Sequence, residues 1–306
     1  MENQPYHIAV LVTCHNRKEK TLAALRTLFS AVDHHNDRES RTMVTRLYLT
    51  DDNCTDGTAA EVLANFPNRD IRIVQGDGNL FWAGGMRLAW QTALNDSKAW
   101  DFYLLINDDT IFLEDALTEL LRTHDYALNT YGKSGIYAGI VSSMDGREIT
   151  YGAKRYASGL FGKSTSILPN GQPQECLMTN ANILLVSQHV VNKNGILSVK
   201  YSHSCADWAY GIEAARAGFP VLVTGKICAR CDNDHDSEEQ EHQKILNMTI
   251  RQRWAYFSSP IHSTRDILTF MSHYNRFKFF FVIIARGLNI LVPNLYYSLS
   301  SKRKTE

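Results

Sequence analysis

The chain lacks most of the features that would assign it at a glance. Lys and Arg together number 32 and Asp and Glu also number 32, so its 306 residues carry no net charge. Without a global field there is no electrostatic drive toward nucleic acid. Six cysteines, at positions 14, 54, 176, 205, 228 and 231, are too few and too scattered for a disulfide scaffold. Cys228-Ala229-Arg230-Cys231 is a lone C-x-x-C with only His235 near it, and zinc spacings normally come in pairs, so a structural zinc site is not expected. No apolar leader opens the chain, because Met1-Glu2-Asn3-Gln4-Pro5 is polar; this points to the cytoplasm and reduced thiols. The longest apolar stretch, 277–292, has sixteen residues and carries Lys278 and Arg286, too short and too charged to span a bilayer comfortably. No G-x-G-x-x-G follows the first apolar run, which speaks against a dinucleotide oxidoreductase.

What is present is a rhythm. A hydrophobic share of 44% suffices for one large core or two small ones. Strand candidates at 8–13, 46–51, 71–75, 102–106, 137–141, 183–186 and 221–224 alternate with helical stretches. The helical period shows at 17–32, where Leu22, Leu25 and Leu28 share a face, and again at 84–94 and 114–122. Between them, 34–41 reads as a polar, exposed loop. The βαβ alternation predicts an α/β domain with a mostly parallel central sheet and flanking helices. After about Asp232 the composition turns acidic, then helical with many arginines and aromatics, predicting a helical C-terminal extension.

Asn107-Asp108-Asp109-Thr110, straight after the buried run Phe102-Tyr103-Leu104-Leu105-Ile106, is the most informative segment. Ligand crevices of open α/β sheets lie beyond the carboxyl ends of such strands. Two adjacent carboxylates there repel each other, and hard oxygen ligands suit magnesium or manganese. The alternative is that one of them caps the helix starting near Leu113. Three more loops follow apolar runs. They are Thr13-Cys14-His15-Asn16-Arg17; Asp51-Asp52-Asn53-Cys54-Thr55-Asp56-Gly57-Thr58; and Asp77-Gly78-Asn79-Leu80-Phe81-Trp82-Ala83-Gly84-Gly85-Met86-Arg87. In the third, Gly84 and Gly85 would let the backbone approach a phosphate at a helix N-terminus, with Arg87 adding charge. Four such loops in order point to a nucleotide-diphosphate site.

These loops resemble the signatures of family 2 inverting glycosyltransferases with the GT-A fold, in order and spacing over roughly the first 110 residues. A later segment, His203-Ser204-Cys205-Ala206-Asp207-Trp208-Ala209-Tyr210-Gly211-Ile212-Glu213-Ala214 and then Gly218, is similar to the bacterial rhamnosyltransferase-like branch. That branch typically reads His-x-x-Gly-Asp-Phe-Asp-Tyr-Gly-Leu-Arg-Ala. The resemblance implies a Rossmann-like GT-A domain over 1–235, with a nucleotide-sugar half at 1–112 and an acceptor half at 113–235, followed by the extension at 236–306. It implies that Thr13, His15, Arg17, Asp52, Asn79, Trp82, Gly84, Gly85, Arg87 and Asp108 bind the donor. It gives the divalent cation, Mn2+ or Mg2+, to Asp109 with Asp108. Asp207 matches the general base, although Ala206 replaces a usual glycine and Ala209 a second acid. His235 is a candidate further metal ligand among Asp232, Asp234 and Asp236, against the reading of a solvated acidic loop. Asn180, Asn182, His203 and Trp208 would face the acceptor.

The implied activity is inverting transfer of a sugar from a UDP- or dTDP-linked donor, with rhamnose the family-weighted sugar, in bacterial surface polysaccharide synthesis. The acceptor would be a glycan or lipid-linked oligosaccharide. The basic, aromatic tail at 270–306 suggests peripheral contact at the inner face of the plasma membrane; packing of that tail on the main domain is the alternative. A sugar-phosphate nucleotidyltransferase would share sheet and metal, but Cys14-His15-Asn16 stands where that class carries a Gly-rich loop with Arg. A non-catalytic nucleotide-sugar binder is the other rival, given Ala209.

Overall fold

The computed structural model describes residues 4–156, 164–232 and 238–302. The chain divides into two compact units: one of 1–158, 162–198 and 206–232, and one of 159–161, 199–205 and 233–306.

The first unit is built on a twisted sheet. Its parallel half alternates β1 (Tyr6–Cys14), α1 (Lys18–Arg38), β2 (Met43–Asp51), α2 (Thr58–Asn65), β3 (Ile71–Gln75), α3 (Phe81–Leu94) and β4 (Phe102–Ile106). β1 sits between β2 and β4, with β3 outside β2, all parallel. Every residue of β4 is buried, as its uninterrupted apolar sequence requires for a strand covered on both faces. Chain order reverses direction across β1 and β4, so a crevice opens at their carboxyl ends.

Beyond β4 the sheet changes character. β5 (Ile111–Phe112) leads to α4 (Ala116–Tyr131), β6 (Ile136–Ser142), β7 (Ile149–Tyr151), β8 (Ala153–Tyr156), β9 (Ser164–Ser166), β10 (Gln174–Glu175), β11 (Met178–Thr179), β12 (Ile183–Ser187), α5 (Gln188–Asn194), α6 (Ala206–Arg216) and β13 (Val221–Arg230). β12 enters between β4 and β6, antiparallel to both, with Ile183 opposite Ile106. The sheet therefore runs β10-β13-β6-β12-β4-β1-β2-β3, and β11, β8 and β9 form a separate three-stranded patch. This is the α/β class with a mostly parallel central sheet that the sequence predicts.

One expectation fails. Of the polar stretch at 34–41 only 39–41 is a loop, because α1 runs on to Arg38. His35 is 3% exposed and its ring nitrogens reach Thr118 Oγ1 at 2.8 Å and the Arg41 carbonyl at 3.0 Å. Polar residues here continue the helix because tertiary partners satisfy them.

The second unit carries α7 (Glu238–Leu246), α8 (Ile250–Ser258), α9 (Thr264–Tyr274), α10 (Arg276–Leu291) and α11 (Pro293–Lys302). A full capping box opens α8, with Thr249 and Gln252 exchanging hydrogen bonds. Among the described residues no helix is long and apolar enough to cross a membrane.

Candidate active site

The acidic doublet occupies the turn between β4 and β5. Neither aspartate caps a helix, since α4 starts at Ala116 behind Asp115. Asp108 is 6% exposed, and burial pushes its carboxyl up to about 7, with Arg17 pulling it down and Asp109 pushing it further up. The cation facing both carboxylates is the chain's own. Arg17 places one guanidinium nitrogen 3.0 Å from Asp108 Oδ1 and the other 2.5 Å from Asp109 Oδ2. The other oxygen of Asp109, Oδ1, is buried without a hydrogen-bond partner among the described residues.

That orphaned oxygen is a ligand position for a hard cation, and a pair of carboxylates with water and phosphate oxygens is the donor set magnesium usually takes. The residues fit the implied ion. Among the described residues no group of three or more His, Cys, Asp or Glu side chains could hold a metal, so Asp108 and Asp109 would supply part of its coordination. His235 lies outside the described residues, as do Asp234 and Asp236.

The other loops are tied to the first and to one another. Nδ1 of His15, an exposed residue, lies 2.7 Å from the Asp52 carbonyl, and Asn16 Oδ1 accepts the Thr55 amide at 2.7 Å. The Cys14 and Cys54 sulfurs lie 3.8 Å apart, with burial pushing both thiols up. Asp52 is 4% exposed, and its carboxylate accepts the amides of Gly78 at 2.8 Å and Leu80 at 3.1 Å. Where the resemblance places Asp52 against a base, the geometry has it holding the third loop by its backbone. Trp82 closes the ring, donating Nε1–H to Asn107 Oδ1 at 2.8 Å. Asn79 is exposed, its amide turned back to Asp77 Oδ1 at 2.8 Å.

Of the two glycines, Gly85 has a packing role of its own. Gly84 and Gly85 are buried inside α3. A Cβ at Gly85 would overlap the Thr13 side chain, and the Gly85 carbonyl accepts Thr50 Oγ1–H at 2.9 Å. The missing side chain lets α3 approach β1 and β2. Arg87, half-buried, donates to the Ser198 carbonyl at 3.1 Å.

The doublet connects to Asp207 through β12. The Asn107 amide donates to the Asn182 carbonyl at 3.3 Å, and Asn182 is 4% exposed. The next amide back, Ala181, donates to Asp207 Oδ2 at 3.1 Å. Asp207 is the second residue of α6, not its cap, and its Oδ1 accepts the Trp208 amide at 2.9 Å. Burial pushes its carboxyl up to about 6, the Trp208 and Ala181 amides pulling the other way. A carboxylate held there is ionised at neutral pH yet still proton-hungry. Trp208 is half-buried with Lys154 Nζ 5.0 Å from its ring centre. Asn180 is half-buried and donates its amide to the Gly152 carbonyl at 2.8 Å. His203 belongs to the other unit, where the amides of Ser202, His203 and Ser204 all converge on the buried Asp266 carboxylate.

Sequence reasoning missed the backbone at these loops. Asn16, Asn53 and Phe81 all have left-handed φ, at 51°, 58° and 53°. Asparagine tolerates this region and gave a signal that could have been read; a phenylalanine there is an outlier with none. Such strain costs about 1–3 kcal/mol per residue and persists where surrounding contacts over-determine it.

A sheet of this order, with an acidic turn, a facing arginine and a buried carboxylate beyond it, is the GT-A architecture of glycosyltransferases. The family model described as Glycosyl transferase family 2 matches residues 9–180, more than half the chain, and the chain belongs to that family. Among solved structures, it is similar to S. aureus TarS 1–349 at a TM-score of 0.50 and 13% identity, over 90% of this chain and 74% of that one. With TarS 1–349 in complex with UDP the values are 0.51, 14%, 89% and 74%. With the UDP-GlcNAc complex they are 0.50, 12%, 94% and 79%. At such identity the likeness speaks for the fold. No curated protein sequence matches the chain significantly.

Proposed function

We propose that this glycosyltransferase moves a sugar, with inversion, from a UDP- or dTDP-linked donor onto a glycan acceptor, with Asp207 as general base. The observation that carries the reading is the link just traced. Beside the antiparallel pairing of β12 with β4, one backbone–backbone bond from Asn107 to Asn182 and one backbone amide, Ala181, on the Asp207 carboxylate link a carboxyl raised to about 6 to the acidic doublet. TarS structures with UDP and UDP-GlcNAc bound supply the donor class by analogy of fold.

In this mechanism Asp207 takes the acceptor hydroxyl's proton as the hydroxyl oxygen bonds to the anomeric carbon and the bond to the diphosphate breaks. Arg17, already turned to the doublet, offers its guanidinium to the departing diphosphate. Asp109 and Asp108 would hold Mn2+ or Mg2+, which when bound supplies Lewis-acid stabilisation of that leaving group. Asp52 keeps the third loop in shape, and Trp82, tied to Asn107, shields the donor from water. Asn180, Asn182 and Trp208 are the acceptor-facing residues. The rhamnosyltransferase-like segment around Asp207 favours a surface-polysaccharide acceptor.

The second unit supports peripheral contact with an anionic membrane surface. On α10, Phe277, Phe280, Phe281, Ile284 and Leu291 fall on one helical stripe and are 60%, 66%, 50%, 59% and 63% exposed. Arg286, on the opposite side, lies with its guanidinium carbon 4.3 Å from the Phe257 ring centre. Positions 276–302 contain Arg276, Lys278, Arg286 and Lys302 and no acidic residue. An apolar stripe flanked only by cations suits an anionic leaflet.

Thermal shift with UDP and dTDP, with and without Mn2+, tests the donor reading. A ligand at 100 times its Kd stabilises by about 2.7 kcal/mol. No shift with any nucleoside diphosphate, alongside pyrophosphate release from a nucleoside triphosphate, would move the protein to the nucleotidyltransferases.

A further inference from the structure

The second unit carries a half-open cavity of about 410 Å³, at the small end of ligand sites. Its lining brings together polar groups that the protein leaves unused. Asn289 is 7% exposed, and its amide makes no hydrogen bond among the described residues; its buried Oδ1 has no donor. His242 Nε2 is likewise buried without a partner among the described residues. Arg286 has no carboxylate within ion-pair distance among the described residues, its one close partner being the Phe257 ring. Native interiors rarely leave such groups unpaired, and three around one cavity call for a common occupant.

The lining fixes the chemistry of that occupant. Asn289 offers both an acceptor and a donor whichever way its amide is turned, Arg286 offers donors only, and Glu241 offers acceptors. A bare anion would satisfy Arg286 but meet Glu241 and leave the Asn289 oxygen without a donor. An apolar molecule would satisfy none of them. Hydroxyl groups donate and accept, so one polyol can serve all four. Tyr296 and Tyr297 add aromatic faces, the Tyr297 ring stacked on His242 with centroids 3.9 Å apart and planes 4° apart. Their negative π-faces suit the weakly positive C–H edges of a sugar ring.

We infer that the cavity between α7, α10 and α11 is a saccharide-binding site, separate from the transfer chemistry at Asp207, that holds a neutral sugar unit through Asn289, Arg286, Glu241 and His242. Whether or not Asp207 is the base does not bear on it.

Saturation-transfer NMR on the full chain tests this, with a panel of neutral hexoses, 6-deoxyhexoses, N-acetylhexosamines and their disaccharides, and inorganic phosphate in a parallel titration. At least one sugar should receive saturation. Asn289→Leu and His242→Leu should each weaken its binding about tenfold or more, the loss of a buried hydrogen bond to a polar ligand. Asp207→Asn should leave this binding intact. Circular dichroism melts confirm folding, and the two variants lie on different helices, so misfolding of one leaves the other. The inference is overturned if no sugar receives saturation, if phosphate alone binds, or if binding survives both leucine variants and disappears in Asp207→Asn.

Discussion

At the scale of single residues, the site depends on side chains held away from water in a state they would not choose in solution. Burial keeps the Asp207 carboxyl near 6 instead of 3.8, so the rate of transfer should climb with pH through about 6 and then level off. Asp207→Asn should cut the rate about 10²–10⁴-fold while donor affinity, read by calorimetry, stays the same. The shift has a stability side as well. A carboxyl raised in the fold stabilises it fully below the unfolded value of 3.8, and that contribution is lost as pH rises through about 6. At pH 8, therefore, Asp207→Asn should melt no lower than the native protein; a clear drop would mean the carboxylate holds Ala181 and Trp208 for structure alone. Arg17 could be assigned to the crevice from its position after β1, but its grip on both aspartates could not. That depends on how far two loops, separated by some ninety residues, come together in space.

At the scale of elements, the loops work because strands deliver them and backbone bonds hold them. Asp52→Ala removes the acceptor for the Gly78 and Leu80 amides, and UDP or dTDP affinity should fall about tenfold or more, as expected when a buried charged hydrogen-bond partner is lost. Gly85→Ala drives a methyl into Thr13 and should cost about 1–3 kcal/mol in urea unfolding, part of it recovered by Thr13→Ala. An unchanged midpoint would show that α3 can back away from β1 freely. The first four strands were legible because each is a short segment rich in β-branched, aromatic or leucine residues bounded by turn chemistry. β5, β10 and β11 have two residues each, too short to carry a period. The extension of α1 through His34 and His35 was hidden for a related reason, since its polar residues are satisfied by partners remote in sequence.

At the scale of the whole molecule, the family and the sheet were readable from four loops in order, while the second unit's surface needed coordinates. The stripe on α10 puts aromatics outward and Arg286 inward, the reverse of an ordinary surface helix. Phe280→Ser with Ile284→Ser should abolish flotation on vesicles containing anionic lipid and leave the UDP or dTDP thermal shift intact; concentration-dependent dimer loss instead would reassign the stripe to a second copy of the chain. The strand that reaches Asp207 has a wider consequence. Because β12 is threaded between β4 and β6, residues on either side of it are locked in phase by both neighbours. Because β12 is buried on both faces, slipping it by one residue would exchange its two packed faces and misfit both sides of the core. The position of Asp207 is thus indexed to a zipper rather than a hinge, because the Ala181 amide that holds its carboxylate stands directly ahead of this pinned strand.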